Sequence, residues 1–119
     1  MAATRVVDTR FYQVAAHTPV ALAVTIGDGQ SGGASTLFSG TVVPQPSRTP
    51  VTFGAPGQTL AQTSLSCTVD VAVTNPATTM TSVVCQLTGG LQNQTHTFVS
   101  KAAAQGDTVE YILTFALIL

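Results

Sequence analysis

Between Leu65 and Thr74 every odd position is apolar (Leu65, Cys67, Val69, Val71, Val73), and every even one is small or polar (Ser66, Thr68, Asp70, Ala72, Thr74). A period of two places the apolar set on one side of an extended chain, whereas a helix would smear both sets around its circumference. The same alternation runs through Val20, Leu22, Val24 and Ile26, with Ala21, Ala23 and Thr25 between them. Val83, Cys85 and Leu87 resume it after Asn75-Pro76-Ala77-Thr78, where a residue without an N–H and with a fixed φ breaks the ladder. The spacing predicts an antiparallel hairpin over 65–87 whose second strand ends at Gly89-Gly90. Further strands are expected at Thr4–Val14, Thr36–Val43, Val51–Phe53, Thr95–Ser100 and Thr108–Ile118.

Turn chemistry separates these segments. Gly27-Asp28-Gly29-Gln30-Ser31-Gly32-Gly33, the proline-rich stretch 44–50 and Gly54-Ala55-Pro56-Gly57 all read as connections. Ala102–Gln105 is too short before Gly106 for a stable helix and reads as a turn. With strands this short, turns about every ten residues and no sustained helical period, the fold class is all-β: an antiparallel β-sandwich of about seven or eight strands, forming one domain over residues 1–119. The region from Gly54 to Gly90 resembles an immunoglobulin-like sandwich in architecture alone, since no Trp lies between the cysteines and their separation is too short for the inter-sheet pair of antibody domains. The pattern leaves an immunoglobulin-like or a jelly-roll-like strand order open, and such an architecture implies no function.

The final strand departs from simple alternation. Its odd residues Val109, Tyr111, Leu113, Phe115 and Leu117 suit the core, but the even residues Ile112, Ala116 and Ile118 are apolar too. Its outer face therefore needs a cover, either a neighbouring protomer or the proline-rich stretch 44–50 of the same chain.

Composition strengthens the first option. Only 8% of residues are charged, 45% are hydrophobic and the formal net charge is −1, so Thr, Ser, Gln and Ala must supply much of the surface. Copies with so little charge repel one another weakly. The four basic residues, Arg5, Arg10, Arg48 and Lys101, are too dispersed to neutralise a run of phosphates or to anchor the chain to an anionic membrane, which argues against nucleic acid as a partner. No run is long enough for a membrane-spanning helix of about 20 residues. Charges at Arg5, Asp8 and Arg10 interrupt what would be a signal peptide's apolar stretch, so the expectation is a cytoplasmic protein or one exported without a cleaved leader. Asn93-Gln94-Thr95 matches a glycosylation acceptor, read here as a chance match.

Chemistry-bearing constellations are few. Cys67 and Cys85 fall on the core face of the expected hairpin, as buried thiols or as a cross-strand disulfide; the strain of directly opposed bridges favours thiols. His17 and His96 add no metal-ligand spacing and face no Gly-x-Ser-x-Gly nucleophile turn, so both read as exposed or turn residues, and no catalytic, metal or cofactor site is expected. The Gly27–Gly33 loop offers Asp28, Gln30 and Ser31 as candidate ligand groups for a carbohydrate or an ion. One carboxylate is far from the six to eight oxygens that calcium takes, and the absence of Trp weakens a sugar platform. The leading expectation is a non-enzymatic structural or interaction module that forms a homo-oligomer or docks into a larger assembly through Ile112, Ala116 and Ile118. The alternative is a carbohydrate- or ion-binding module built on the glycine-rich loop.

Overall fold

The computed structural model describes residues 3–15, 18–38, 41–46, 48–56 and 64–118. Nine strands and no helix make up the described chain: β1 (Ala3–Gln13), β2 (Pro19–Ile26), β3 (Ser31–Phe38), β4 (Thr41–Gln45), β5 (Val51–Pro56), β6 (Ser64–Ala72), β7 (Met80–Thr88), β8 (Gln94–Lys101) and β9 (Thr108–Ile118). They form a sandwich of a five-stranded sheet, β1-β9-β6-β3-β4, and a four-stranded sheet, β5-β2-β7-β8. All pairings are antiparallel except that of β1 with β9, which run parallel with Val7 beside Ile112 and Phe11 beside Ala116.

The period of two is met residue by residue. Leu65, Cys67, Val69 and Val71 of β6 and Val109, Tyr111, Leu113, Phe115 and Leu117 of β9 are fully buried, facing Val20, Leu22, Val24, Val83, Cys85 and Leu87 of the other sheet. Polar groups inside this core are paired: the Tyr111 hydroxyl lies 2.6 Å from Thr81 Oγ1, which also donates to the Ser100 carbonyl at 2.7 Å. Burial raises the Tyr111 pKa, so the phenol stays protonated inside the sandwich.

Three expectations are corrected. The segments 65–73 and 83–87 are not a hairpin: β6 pairs with β3 and β9, whereas β7 pairs with β2 and β8 in the opposite sheet. The connection crosses the sandwich because its backbone is held at several points, by Gln30 and through the exchanges of Val73 N with Asp107 O and Gly106 N with Val73 O. Alternation reports which face is buried and is the same for an arch as for a hairpin. Thr36–Val43 is likewise two strands, β3 and β4, which pair antiparallel with Phe38 beside Thr41. The glycine-rich loop is shorter than expected, since Ser31, Gly32 and Gly33 already belong to β3. Gly32 is required there because a β-carbon would run into the Asp70 carbonyl of β6.

Ala102–Gln105 is a turn, as expected, closed by Ala104 N donating to Asp107 Oδ2 at 3.0 Å. His17 lies outside the described residues.

Candidate functional site

Strand parity sorts the exposed apolar side chains. Of the seven large hydrophobic residues that stand exposed among the described residues, Val7, Phe11, Leu37, Val42 and Ile118 all lie on the outer face of the five-stranded sheet. Val7 and Phe11 are each 66% exposed and Val42 64%. On the same face Ile112 sits between Val7 of β1 and Thr68 of β6, and Ala116 between Phe11 and Ser64. The three residues that the sequence nominated are thus brought together, Ile112 and Ala116 half-buried between neighbouring strands and Ile118 exposed at the end. Sequence reasoning missed Val7, Phe11, Leu37 and Val42. The signal of Val7 and Phe11, odd apolar residues alternating with Asp8, Arg10 and Tyr12 in β1, gives no inward or outward sense until a neighbour is known.

The face has an internal order. Val7, Phe11, Ile112, Ala116 and Ile118 form an apolar flank on β1 and β9, Leu37, Val42 and Pro44 a second on β3 and β4, and Ser64, Ser66 and Thr68 a seam of small hydroxyls between them. At one end stand the charges: Arg5 Nε is 2.9 Å from Glu110 Oε1, and Asp70 faces Glu110 across β6 and β9. Partial burial and then the Glu110 carboxylate raise the Asp70 pKa. Beyond Pro44 the described residues of the proline-rich stretch do not cover this face. Gln45 and Arg48 bond to the other sheet, Arg48 N donating to Val24 O at 2.9 Å and Gln45 Nε2 to Leu22 O.

The glycine-rich loop is a clamp. Gln30 is buried, and its amide makes four hydrogen bonds: Nε2 donates to the Thr78 and Met80 carbonyls at 3.1 and 2.9 Å, and Oε1 accepts from Thr74 N and Asn75 N, both at 2.9 Å. Ser31 Oγ lies 3.1 Å from Thr74 Oγ1, and the Asp28 carbonyl accepts from Asn75 Nδ2 at 2.9 Å. The loop spends Gln30, Ser31 and the Asp28 carbonyl on the β6–β7 connection; of the nominated set Gln30 is buried, while Asp28 and Ser31 stand exposed. A concavity of about 330 Å³ nearby, lined by Val24, Ile26, Ala34, Pro44 and Pro46, contains Gln45, whose amide is engaged with Thr36 and Leu22. No free polar group converges there to orient a ligand.

A second cluster lies where β1 and β8 approach. Arg10 Nη2 is 3.0 Å from Asp8 Oδ2, the guanidinium lies 5.2 Å from the centre of the Phe98 ring, and His96 packs 5.9 Å from Phe115. His96 is therefore a half-buried strand residue facing inward, not the exposed or turn residue expected from its polar neighbours Thr95 and Thr97. Arg10, hydrogen-bonded to it, holds the Asp8 carboxylate below its ordinary range. Burial, and then the Arg10 charge, hold His96 below its ordinary 6.5. The unfolded chain then binds the proton more readily, so this contribution to stability is full above pH 6.5 and is lost as pH falls through the lowered folded value. Thermal melts between pH 8 and pH 5 are expected to fall less steeply for His96→Gln than for the parent.

Cys67 and Cys85 are free, buried thiols on strands of opposite sheets, Cys67 beside Thr36 and Leu113, and Cys85 beside Val24 and His96. Burial pushes Cys67 up to about 11 and Cys85 higher still, so neither presents a thiolate near neutral pH. Among the described residues no three His, Cys, Asp or Glu side chains converge as a metal site, and no helix is long and apolar enough to cross a membrane. No protein-family model, curated protein or solved structure matches the chain.

Proposed function

We propose that this protein is a non-catalytic structural module that associates with copies of itself through the outer face of the five-stranded sheet. The observation that carries this reading is the gathering of Val7, Phe11, Ile112, Ala116 and Ile118 on one flank and Leu37 and Val42 on the other, in a chain whose surface has little charge to keep copies apart. Strands spaced about 4.8 Å apart and rising about 3.3 Å per residue present a face of roughly 700 Å². That approaches the ~800 Å² per partner of a standard interface. Two copies stacked face to face about a two-fold axis would bury both flanks, with the Arg5–Glu110 end at the rim.

The experiment compares the molecular mass of the parent by light scattering with that of two variants, Ile112→Lys with Ile118→Lys and Val7→Lys with Phe11→Lys. Both pairs lie off the core by parity, so each variant is expected to melt as a folded protein and to scatter as a smaller particle. A parent that stays monomeric at the highest attainable concentration would refute the reading. Variants of unchanged mass would move the contact to another surface.

A further inference from the structure

We infer that the edge of β8 accepts one extended strand from a partner polypeptide, which completes the smaller sheet beneath β1. The two sheets are unequal, five strands against four. His96 of β8 packs on Phe115, so β8 lies across from β9, and β1 extends one strand further, its Arg10 guanidinium reaching back over Phe98 at the margin of β8. The side chains of β1 record that overhang. Asp8 and Arg10 are on its inward face by register, beside Leu113 and Phe115, yet their side chains remain 38% and 44% exposed. Further along the same face Tyr12 is fully buried, because the 89–91 segment closes that end: Gly90 N donates to the Tyr12 hydroxyl at 2.8 Å and Leu91 N to Gln13 O at 3.1 Å.

The four sheet edges differ in their protection. Edge strands invite pairing unless prolines, charges or short length blunt them. β4 is five residues long and contains Pro44, β5 is six residues long, preceded by Pro50 and ending at Pro56, and β1 carries Arg5, Asp8 and Arg10. β8 has eight residues, no proline and one charge, Lys101 at its end. Its row of backbone groups is the least guarded of the four described sheet edges.

The overhang of β1 also selects the occupant. A second copy pairing edge to edge through β8 would bring two overhanging β1 strands into the same space, whereas a single strand fits the slot. Arg10 spends one nitrogen on Asp8 and lays its guanidinium over Phe98 of β8 while remaining 44% exposed, so it has donors left at the margin of the slot, and Lys101 has no acidic partner among the described residues. The complementary segment is therefore extended, apolar at alternate positions to meet Phe98, and carries a carboxylate. Main-chain hydrogen bonds supply affinity and the alternate side chains supply selectivity. This site is separate from the face proposed above for self-association.

The probes are two eight-residue peptides alternating threonine and valine, one with a central glutamate and the other with a lysine in its place. Amide hydrogen exchange of the parent protein with the glutamate peptide is expected to slow at alternate residues of β8, with no added protection on β4 or β5. Arg10→Glu, checked for folding by thermal melt, is expected to invert the preference between the peptides by about three- to tenfold. The Ile112→Lys with Ile118→Lys variant is expected to keep peptide uptake, which separates this site from the stacking face. No binding of either peptide at millimolar concentration, or protection on any other edge, would overturn the inference.

Discussion

Replacing Gln30 by leucine is expected to lower the melting temperature by about 10–15 °C, with the fold retained. The side chain is near in volume, so packing changes little, but two backbone N–H groups and two carbonyls lose their partner at once. An unsatisfied buried group costs about 1–3 kcal/mol. Here water reaches part of the cluster and the Thr78 carbonyl also accepts from Gln105 Nε2, which brings the sum to about 3 kcal/mol. For a domain of this size that is a shift of the stated order. Asp28→Asn in the same loop should change stability by less than about 0.5 kcal/mol, because its loop contact is made by its backbone carbonyl and asparagine accepts the left-handed φ of 57° at this position. Calorimetry on the two variants distinguishes a clamp, which fails at Gln30 alone, from a loop whose order depends on its carboxylate.

The second large effect concerns two phenylalanines on adjacent strands, Phe11 and Phe115, one register step apart and on opposite sides of one sheet. Phe115→Ala is expected to cost about 3–5 kcal/mol, because its ring is fully buried and packs on His96. Phe11→Ala, two thirds exposed on the outer face, should leave the stability of the isolated protomer within about 0.5 kcal/mol while weakening association. Denaturant unfolding and light scattering on both variants separate the two. A Phe11 variant that unfolds as readily as the Phe115 variant would show that the outer face belongs to the protomer's own stability.

Which side chains are buried was legible in the chain; which strands are partners was not. Leu65 to Val73 and Val109 to Leu117 declare their inward faces because polar or small residues separate the apolar ones at a period equal to that of the strand. The pairing of β6 with β3 and β9 depends on what holds residues 73–79, and that is the amide of Gln30, more than forty residues away. Local pattern carries no trace of it. The interface candidates show the same limit from the other side. Ile112, Ala116 and Ile118 stood out because both faces of one strand were apolar, whereas Val7 and Phe11 joined them only once β1 was found beside β9. His96 was misread because inward positions at an open sandwich edge tolerate polar residues, so Gln94 and His96 mimic an exposed strand.

The parallel pairing of β1 with β9 also sets when the molecule can finish folding. It is anchored at one end by Arg5 and Glu110, 105 residues apart, and it aligns eleven consecutive residues of each strand. A contact that closes so long a loop carries its entropic cost before any neighbouring contact repays it. β2, β5, β7 and β8 can form their sheet earlier, but the fully buried side chains of β9 have no complete shelter until β1 and β6 flank that strand. Refolding on the millisecond-to-second scale typical of non-local β topologies follows, with β9 the segment most exposed to capture by chaperones or by other chains in the interval.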